Sequence, residues 1–254
     1  MDVFITGVSS GIGRELAKFL IKEGHVVWGV ARRREELEKL SSEIKSGNFF
    51  YNVCNVSDKA AVRQVVSEMR RKNFLPDAVV LNAAAFKEDT RPEFSETIFE
   101  EVFKTNVFGA TTLVEEFIGD FLKRKSGQFL AISSVSAFRP DFMRVSYSSS
   151  KTALAMAFRG LALHYRRESI FFKIIYFGPV ATPMSVHVKR DDSGNIISQK
   201  FFVAGPEDAA MFIAGALKSK KTEYYFPFFS TALFRLINFL PDSIFVLISK
   251  ALKN

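Results

Sequence analysis

A single cysteine in 254 residues leaves Cys54 without a partner in its own chain, which excludes an intramolecular disulfide framework. Histidine is nearly as scarce. His25, His164 and His187 are too scattered to share a metal ion, so a reduced, metal-free protein is expected. The chain opens MDVFITG, with no room ahead of the first strand for a charged segment followed by an apolar one, and secretion is not expected. Internal repeats, low-complexity tracts and linker-like stretches are missing as well, which predicts one domain. The net charge of +8 is dispersed and lacks the aromatic interleaving of a nucleic-acid surface. A phosphate-bearing cofactor, an acidic carrier or an anionic membrane remain as partners for that charge. What the chain does have is apolar material, 48% hydrophobic residues with 28 phenylalanines, enough for a large core.

Short apolar runs alternate with longer amphipathic ones: VFIT then ELAKFLIKEG, VVWGVA then REELEKLSSEIKSG, FFYNV then KAAVRQVVSEMRRK, AVVLN then two helical stretches, QFLAIS then a further helix, FFKIIYF then PEDAAMFIAGALK. Such alternation predicts an α/β fold, a mostly parallel, doubly wound sheet with helices on both faces. In that architecture ligands bind beyond the carboxyl ends of the strands. The unusual residues of this sequence fall there.

After the first strand, Gly7, Gly11 and Gly13 surround Ser9, Ser10 and Ile12 ahead of the helix RELAKFL. Glycines let the backbone turn tightly and approach a phosphate, and a helix N-terminus offers unpaired N–H groups and the positive end of its dipole. The pyrophosphate of a dinucleotide is the expected occupant. A plain Gly-rich turn is the blander alternative, and the position after the first strand of a βαβ unit weighs against it. After the second strand, where a carboxylate would bond the ribose hydroxyls of NAD, the sequence has VARRRE. Guanidinium groups suit a 2′-phosphate, so NADP(H) is expected, with Arg32 the first candidate, Arg33 the second, and Arg34 the solvated start of a helix. In VSYSSSK, Tyr147 and Lys151 open a helix four positions apart and so share one face. Taken alone, the pair is either a surface contact or a tuned acid.

Thr6 to Gly13 (TGVSSGIG), Asn82-Ala83-Ala84, Asn106 in TNVFG, Ser134 in ISSVSA, Tyr147 with Lys151, and Phe177-Gly178-Pro179 with Thr182 together resemble, in order and spacing, the short-chain dehydrogenase/reductase family, its reductase branch in particular. The resemblance covers about residues 1–220 and implies a Rossmann-type dinucleotide-binding and catalytic domain. It also implies roles. Tyr147 would be the general acid in reduction and the base in oxidation, its phenol drawn below the ordinary value near ~10 by Lys151 and by oxidised nicotinamide. Lys151 would also hold the nicotinamide ribose, and Ser134 the substrate carbonyl. Asn106 would hold a water linking Lys151 to solvent. Thr182 and the backbone near Pro179 and Val180 would hold the nicotinamide carboxamide, with Asn55, Val56, Asn82, Ala83 and Ala84 completing the cofactor set. Two residues depart from the family pattern, which usually has Gly where Ala84 stands and Asp where Asn55 stands. Ser133 competes with Ser134, and the distance to Tyr147 favours Ser134. Asn106 has a plainer alternative, bonding to neighbouring backbone. Ser148, Ser149 and Ser150 read as ordinary helix-start residues, and Cys54, His164 and Trp28 as core or surface residues far from the motifs. Helices 106–124 and 147–168 are, by resemblance, a subunit interface, implying a homodimer or homotetramer.

The stretch 183–204, polar at its centre and apolar at its ends, reads as a substrate lid with weak order, and its apolar ends suggest an apolar carbonyl or alcohol substrate. Residues 221–254 read as a strand and helical tail on the same domain, with two apolar helical segments separated by Pro241. Broken by Arg235, Pro241 and Asp242, they fall short of the about eighteen residues a spanning helix needs. Two readings stay open for this tail: packing against a subunit or the cleft, and contact with a membrane. The tail also lacks the Gly-rich end usual in 3-oxoacyl carrier-protein reductases. The whole predicts a cytoplasmic NADP(H)-dependent oxidoreductase, with peripheral membrane contact through the tail as an added reading. The alternative function is a non-catalytic NADP(H)-binding sensor or membrane-associated interaction protein.

Overall fold

In the computed structural model, which describes residues 1–88, 93–140, 144–184 and 203–245, the apolar runs become β1 (Asp2–Thr6), β2 (Val26–Ala31), β3 (Phe49–Val53), β4 (Ala78–Leu81), β5 (Gly127–Ser134), β6 (Ile170–Phe177) and β7 (Glu223–Phe226). They form one sheet in the order β3-β2-β1-β4-β5-β6-β7, and every neighbouring pair runs parallel. Strands buried on both faces read as continuous apolar sequence, and β4 does so here, whereas β6 is apolar except for Lys173.

Helices cover both faces. On one lie α1 (Gly11–Lys22), α2 (Arg34–Ile44) and α7 (Pro206–Lys218), burying Leu16, Leu20, Leu37 and Ile213 with Ile5 and Val80. On the other lie α3 (Lys59–Arg71), α5 (Gly109–Arg124) and α6 (Val145–His164). That second face holds a run of phenylalanines: Phe4 with Phe117, Phe121 with Phe129 at 4.9 Å, Phe129 stacked on Phe172 at 5.0 Å, and Phe158 edge-on to Phe172. Much of the phenylalanine is therefore core. Trp28 is core too, its indole N–H donating to Asn52 Oδ1 at 2.8 Å.

The strand order reverses between β1 and β4, which opens a crevice beyond Thr6 and Leu81. Thr6 ties the two ends together, its Oγ1 accepting from the N–H groups of Asn82 (3.0 Å) and Ala83 (2.9 Å). Between α4 (Glu96–Phe103) and α5 the chain makes a π-helical turn at Lys104–Phe108, which turns Asn106 inward to 1% exposure. The tail contributes β7 and then α8 (Phe228–Ile237), whose buried residues are Ser230 and Thr231. The centre of the expected lid and the tail after Phe245 lie outside the described residues, although a bridge between Val180 and Ala204 joins the two flanks of the former. Among the described residues no helix is long and apolar enough to cross a membrane, and no cluster of candidate metal ligands occurs.

Candidate active site

A cleft of about 920 Å³ lies over the carboxyl ends of the strands. Every expected catalytic and cofactor residue lines it except Gly13 and Asn106, which stand behind its wall. Gly7 adopts φ +77°, and a Cβ there would lie 2.9 Å from Ala83 Cα. At Gly13 the reason is closeness: a Cβ would sit 2.4 Å from Asn82 Nδ2 and 2.5 Å from the Gly7 carbonyl. Asn82 holds the loop from the other side, donating from Nδ2 to the Thr6 carbonyl at 2.9 Å. The α1 helix starts at Gly11 without a side-chain cap and without an acid in its first turn, so its first N–H groups and dipole face the cleft unopposed. Ser10, the residue that would cap it, instead accepts from Arg33, which also donates to Ser9 Oγ (2.8 and 2.9 Å). Arg32 is exposed on the cleft rim. An anion-ready helix end beside two guanidinium groups, over a backbone with no room for side chains, fits a phosphorylated dinucleotide.

Both departures are accommodated. Among the described residues the non-glycines with positive φ are Lys45, Asn73, Lys125 and Ser169, so the turn at Ala84 makes no demand for glycine. Asn55 stays at the cleft surface, its Oδ1 accepting from Ser57 N at 3.3 Å ahead of α3.

The expected catalytic group sits where β5 ends. Ser134 turns out of the strand, and its Oγ accepts from Ser136 N at 3.1 Å. Its side chain is hydrogen-bonded to the Tyr147 hydroxyl. Strand alternation sends Ser133 the other way, to donate to the Lys151 carbonyl at 3.1 Å, so Ser133 is structural. The Tyr147 ring packs edge-on to Phe86 at 5.3 Å, and the Arg144 guanidinium lies 5.3 Å from the centre of Phe86 on its other side. Lys151 is 2% exposed and donates to the Ile132 carbonyl at 2.8 Å, its Nζ 5.6 Å from the Tyr147 ring centre.

The protein's own groups do not make Tyr147 a stronger acid. Burial raises its pKa, and the Ser134 hydrogen bond and the Arg144 charge only partly offset that. Lys151, expected to be the main influence, is itself lowered to about 8 by burial. Asn106 bonds to neighbouring backbone, as its plainer alternative had it. Its Oδ1 accepts from Ala85 N at 2.7 Å, and its Nδ2 donates to the Ala85 carbonyl (3.0 Å) and to Ser150 Oγ (2.9 Å). Both amide hydrogens are thus committed to the protein, and the residue fixes the strand-end loop. Ser150 is then more than a helix-start residue, since it carries this bond into α6.

Several lining residues had no motif to announce them. Cys54, expected far from the motifs, lines the cleft because it ends the β3 segment directly before Asn55, and burial pushes its thiol up to about 11. Arg139, Arg144 and Phe86 line the end beside Tyr147, and the tail adds Leu233, Phe234, Ile237 and Phe245. Arg139 holds the tail in place. It donates to the carbonyls of Ile237 (2.9 Å) and Leu240 (2.7 Å), pairs with Asp242, and lies 4.3 Å from the Phe245 ring centre.

A pH dependence of stability follows from two buried lysines. Lys173, 1% exposed, donates to Gln128 Oε1 at 2.5 Å and to the Ala216 carbonyl at 2.9 Å, and like Lys151 it is lowered by burial from 10.5 to about 8. Between their folded and unfolded values the unfolded chain binds more protons, so this contribution to stability is present above 10.5 and is lost as the pH falls through 8. Above about 9 the Cys54 thiol acts in the opposite sense, because the folded protein retains a proton the unfolded chain releases. Urea denaturation should therefore show stability rising from pH 7.5 to 9 by on the order of 1 kcal/mol per lysine. Lys173→Met should flatten that rise.

The family model for short chain dehydrogenase matches residues 2–193. A 3-oxoacyl-(acyl-carrier-protein) reductase of Buchnera aphidicola subsp. Acyrthosiphon pisum is 28% identical over 229 residues, 87% of this chain and 91% of that protein. An NADPH-dependent pterin aldehyde reductase of Arabidopsis thaliana is 35% identical over 162 residues, 63% of this chain and 67% of that protein. The crystal structure of a short-chain dehydrogenase from Streptomyces avermitilis superposes with a TM-score of 0.81 at 23% identity, covering 99% of this chain and 96% of the other.

Proposed function

Because the chain belongs to the short-chain dehydrogenase family of oxidoreductases, we propose that it uses NADPH to reduce the carbonyl group of an apolar small molecule, with Tyr147 as proton donor. One observation carries this reading: the Tyr147 hydroxyl is bonded to Ser134 inside the cleft that the glycine loop and two arginines also line. When bound, the reduced nicotinamide supplies the hydride. Ser134 orients the carbonyl oxygen toward the phenol, which gives up its proton as charge develops there. The raised pKa of Tyr147 keeps it protonated at neutral pH, as a donor must be. Lys151, whose lowered pKa lets it release a proton more readily than an ordinary lysine, restores the one Tyr147 gives up and orients the ribose. Thr182 and the backbone at Pro179 and Val180 hold the carboxamide. Asn106 positions the wall behind them through Ala85.

Arg32, exposed on the cleft rim, supports NADPH over NADH, and so does the name of the Arabidopsis relative, which describes NADPH-dependent reduction of an aldehyde; Arg33, the second candidate, is bonded to Ser9 and Ser10. The exposed Met156 and Leu163 on α6 support a homodimer or homotetramer through that helix. Cytoplasmic location, with peripheral membrane contact through the tail, belongs to the same proposal.

Following NADPH absorbance while ketones, aldehydes and secondary alcohols are offered to the purified protein tests it. Turnover is expected with apolar ketones or aldehydes. Tight NADPH binding with no turnover across the panel would replace this reading with that of a non-catalytic cofactor sensor.

A further inference from the structure

The tail helix is built inside out. α8 buries Ser230 (1% exposed) and Thr231 (0%), both bonded to the Pro227 carbonyl, while its large apolar side chains face outward. Phe228 is 70% exposed, Phe229 64% and Leu236 67%, and Phe239 just beyond the helix reaches 84%. Leu233, Phe234 and Ile244 extend the same exposed set. A surface this apolar over so few residues marks an interaction site. Its place in the fold points to its partner. Leu233 and Phe234 are exposed and also line the cleft, so the apolar patch borders the cleft that holds Ser134 and Tyr147.

We propose that residues 228–245 form a collar that seats the mouth of the cleft on an anionic lipid surface, so that the enzyme takes its apolar carbonyl substrate from the bilayer. The docking deepens the membrane contact proposed above by placing it at the cleft, and the substrate route rests on the reductase reading, which the docking itself does not need. Charge favours lipid. Between residues 224 and 254 the cations are Arg235, Lys250 and Lys253, and the acid is Asp242, which Arg139 pairs. Beyond Phe245 the sequence continues VLISKALKN, apolar and basic, as an interfacial segment requires. A second copy of the chain on the same patch would cover the side of the cleft that the patch borders. A lipid surface would supply the cleft.

Flotation with phosphatidylcholine vesicles containing phosphatidylserine, using the full chain, tests the docking without cofactor or turnover. The wild type is expected to float with these vesicles and less with pure phosphatidylcholine. The triple variant Phe228→Ser, Phe229→Ser, Phe239→Ser, at positions away from the cleft lining, should lose binding by on the order of 100-fold. Its circular dichroism and its turnover of a water-soluble ketone should be unchanged, whereas its turnover of a vesicle-dissolved ketone should fall. The matching triple Leu variant should still float, because apolarity rather than ring shape is at work. A wild type that stays in solution, or a Ser variant that floats equally well, overturns the proposal. So does loss of self-association in the Ser variant without any vesicle binding by the wild type, which assigns the patch to a second copy. Failure of the reductase reading is distinguishable, since it would abolish ketone turnover by the wild type while leaving flotation intact.

Discussion

Replacing Tyr147 with phenylalanine should lower kcat for ketone reduction by roughly 100- to 10,000-fold, the range a positioned proton donor contributes, and leave NADPH affinity within a few-fold of wild type. The structure makes this a clean substitution. The ring keeps its edge-on contact with Phe86, and Lys151 keeps its own anchor on the Ile132 carbonyl, so what is lost is the hydroxyl and its bond to Ser134. Stopped-flow single-turnover reduction with NADPH in excess, alongside a fluorescence titration of the cofactor, separates the two quantities. A variant as active as its parent would remove Tyr147 from the chemistry and with it the reductase mechanism. The same assay reads the role of Arg144. Its charge partly offsets the burial that raises the phenol, so neutralising it should move the alkaline limb of the pH profile upward.

The parts of this site that were legible in the sequence are those in which chemistry and backbone geometry are local. A glycine loop is visible because Gly7 must adopt positive φ and Gly13 must admit Asn82 within van der Waals contact, and no other residue type meets those demands. Tyr147 and Lys151 are visible because one turn of helix fixes their common face. The parallel doubly wound sheet is visible because strands buried on both sides leave no polar alternation.

What could not be read depends on contacts between distant segments. The end of the cleft beside Tyr147 is lined by the tail, held there by Arg139 bonding to carbonyls 98 and 101 residues further along the chain. The partners of Asn106 depend on a π-helical turn, which spacing does not encode and which turns its amide onto Ala85 and Ser150. Lys173 in FFKIIYF looks like an interruption of a strand, yet it binds the final carbonyls of α7 from within the core. The outward phenylalanines of α8 carried the same composition as the inward ones of β5 and β6. Only the placement of Ser230 and Thr231 against the domain separates the two uses.

The second large effect concerns cofactor choice. Arg32 and Arg33 are adjacent in sequence but differently placed. Arg33 is spent on Ser9 and Ser10, where it fixes the glycine loop that both dinucleotides need. Arg32 stands exposed on the rim where β2 ends, free of that duty, and under the proposed function it would meet the 2′-phosphate that distinguishes NADPH. A charge-assisted hydrogen bond contributes about 1.5–3 kcal/mol, so Arg32→Ala should weaken NADPH binding by roughly 10- to 100-fold and leave NADH nearly unchanged. Arg33→Ala should weaken both cofactors by similar factors, because it loosens the loop rather than a phosphate contact. Arg32→Lys keeps the charge but loses the planar fork, and should fall between Ala and wild type. Calorimetric titration of each variant with both cofactors distinguishes these cases, and repeating it at higher ionic strength adds a further constraint. The NADPH advantage of the wild type should shrink with salt as the exposed guanidinium is screened, whereas that of Arg32→Ala should barely move. Equal affinities of the wild type for NADPH and NADH at low salt would refute the phosphate assignment and leave Arg32 as a solvated residue ahead of α2.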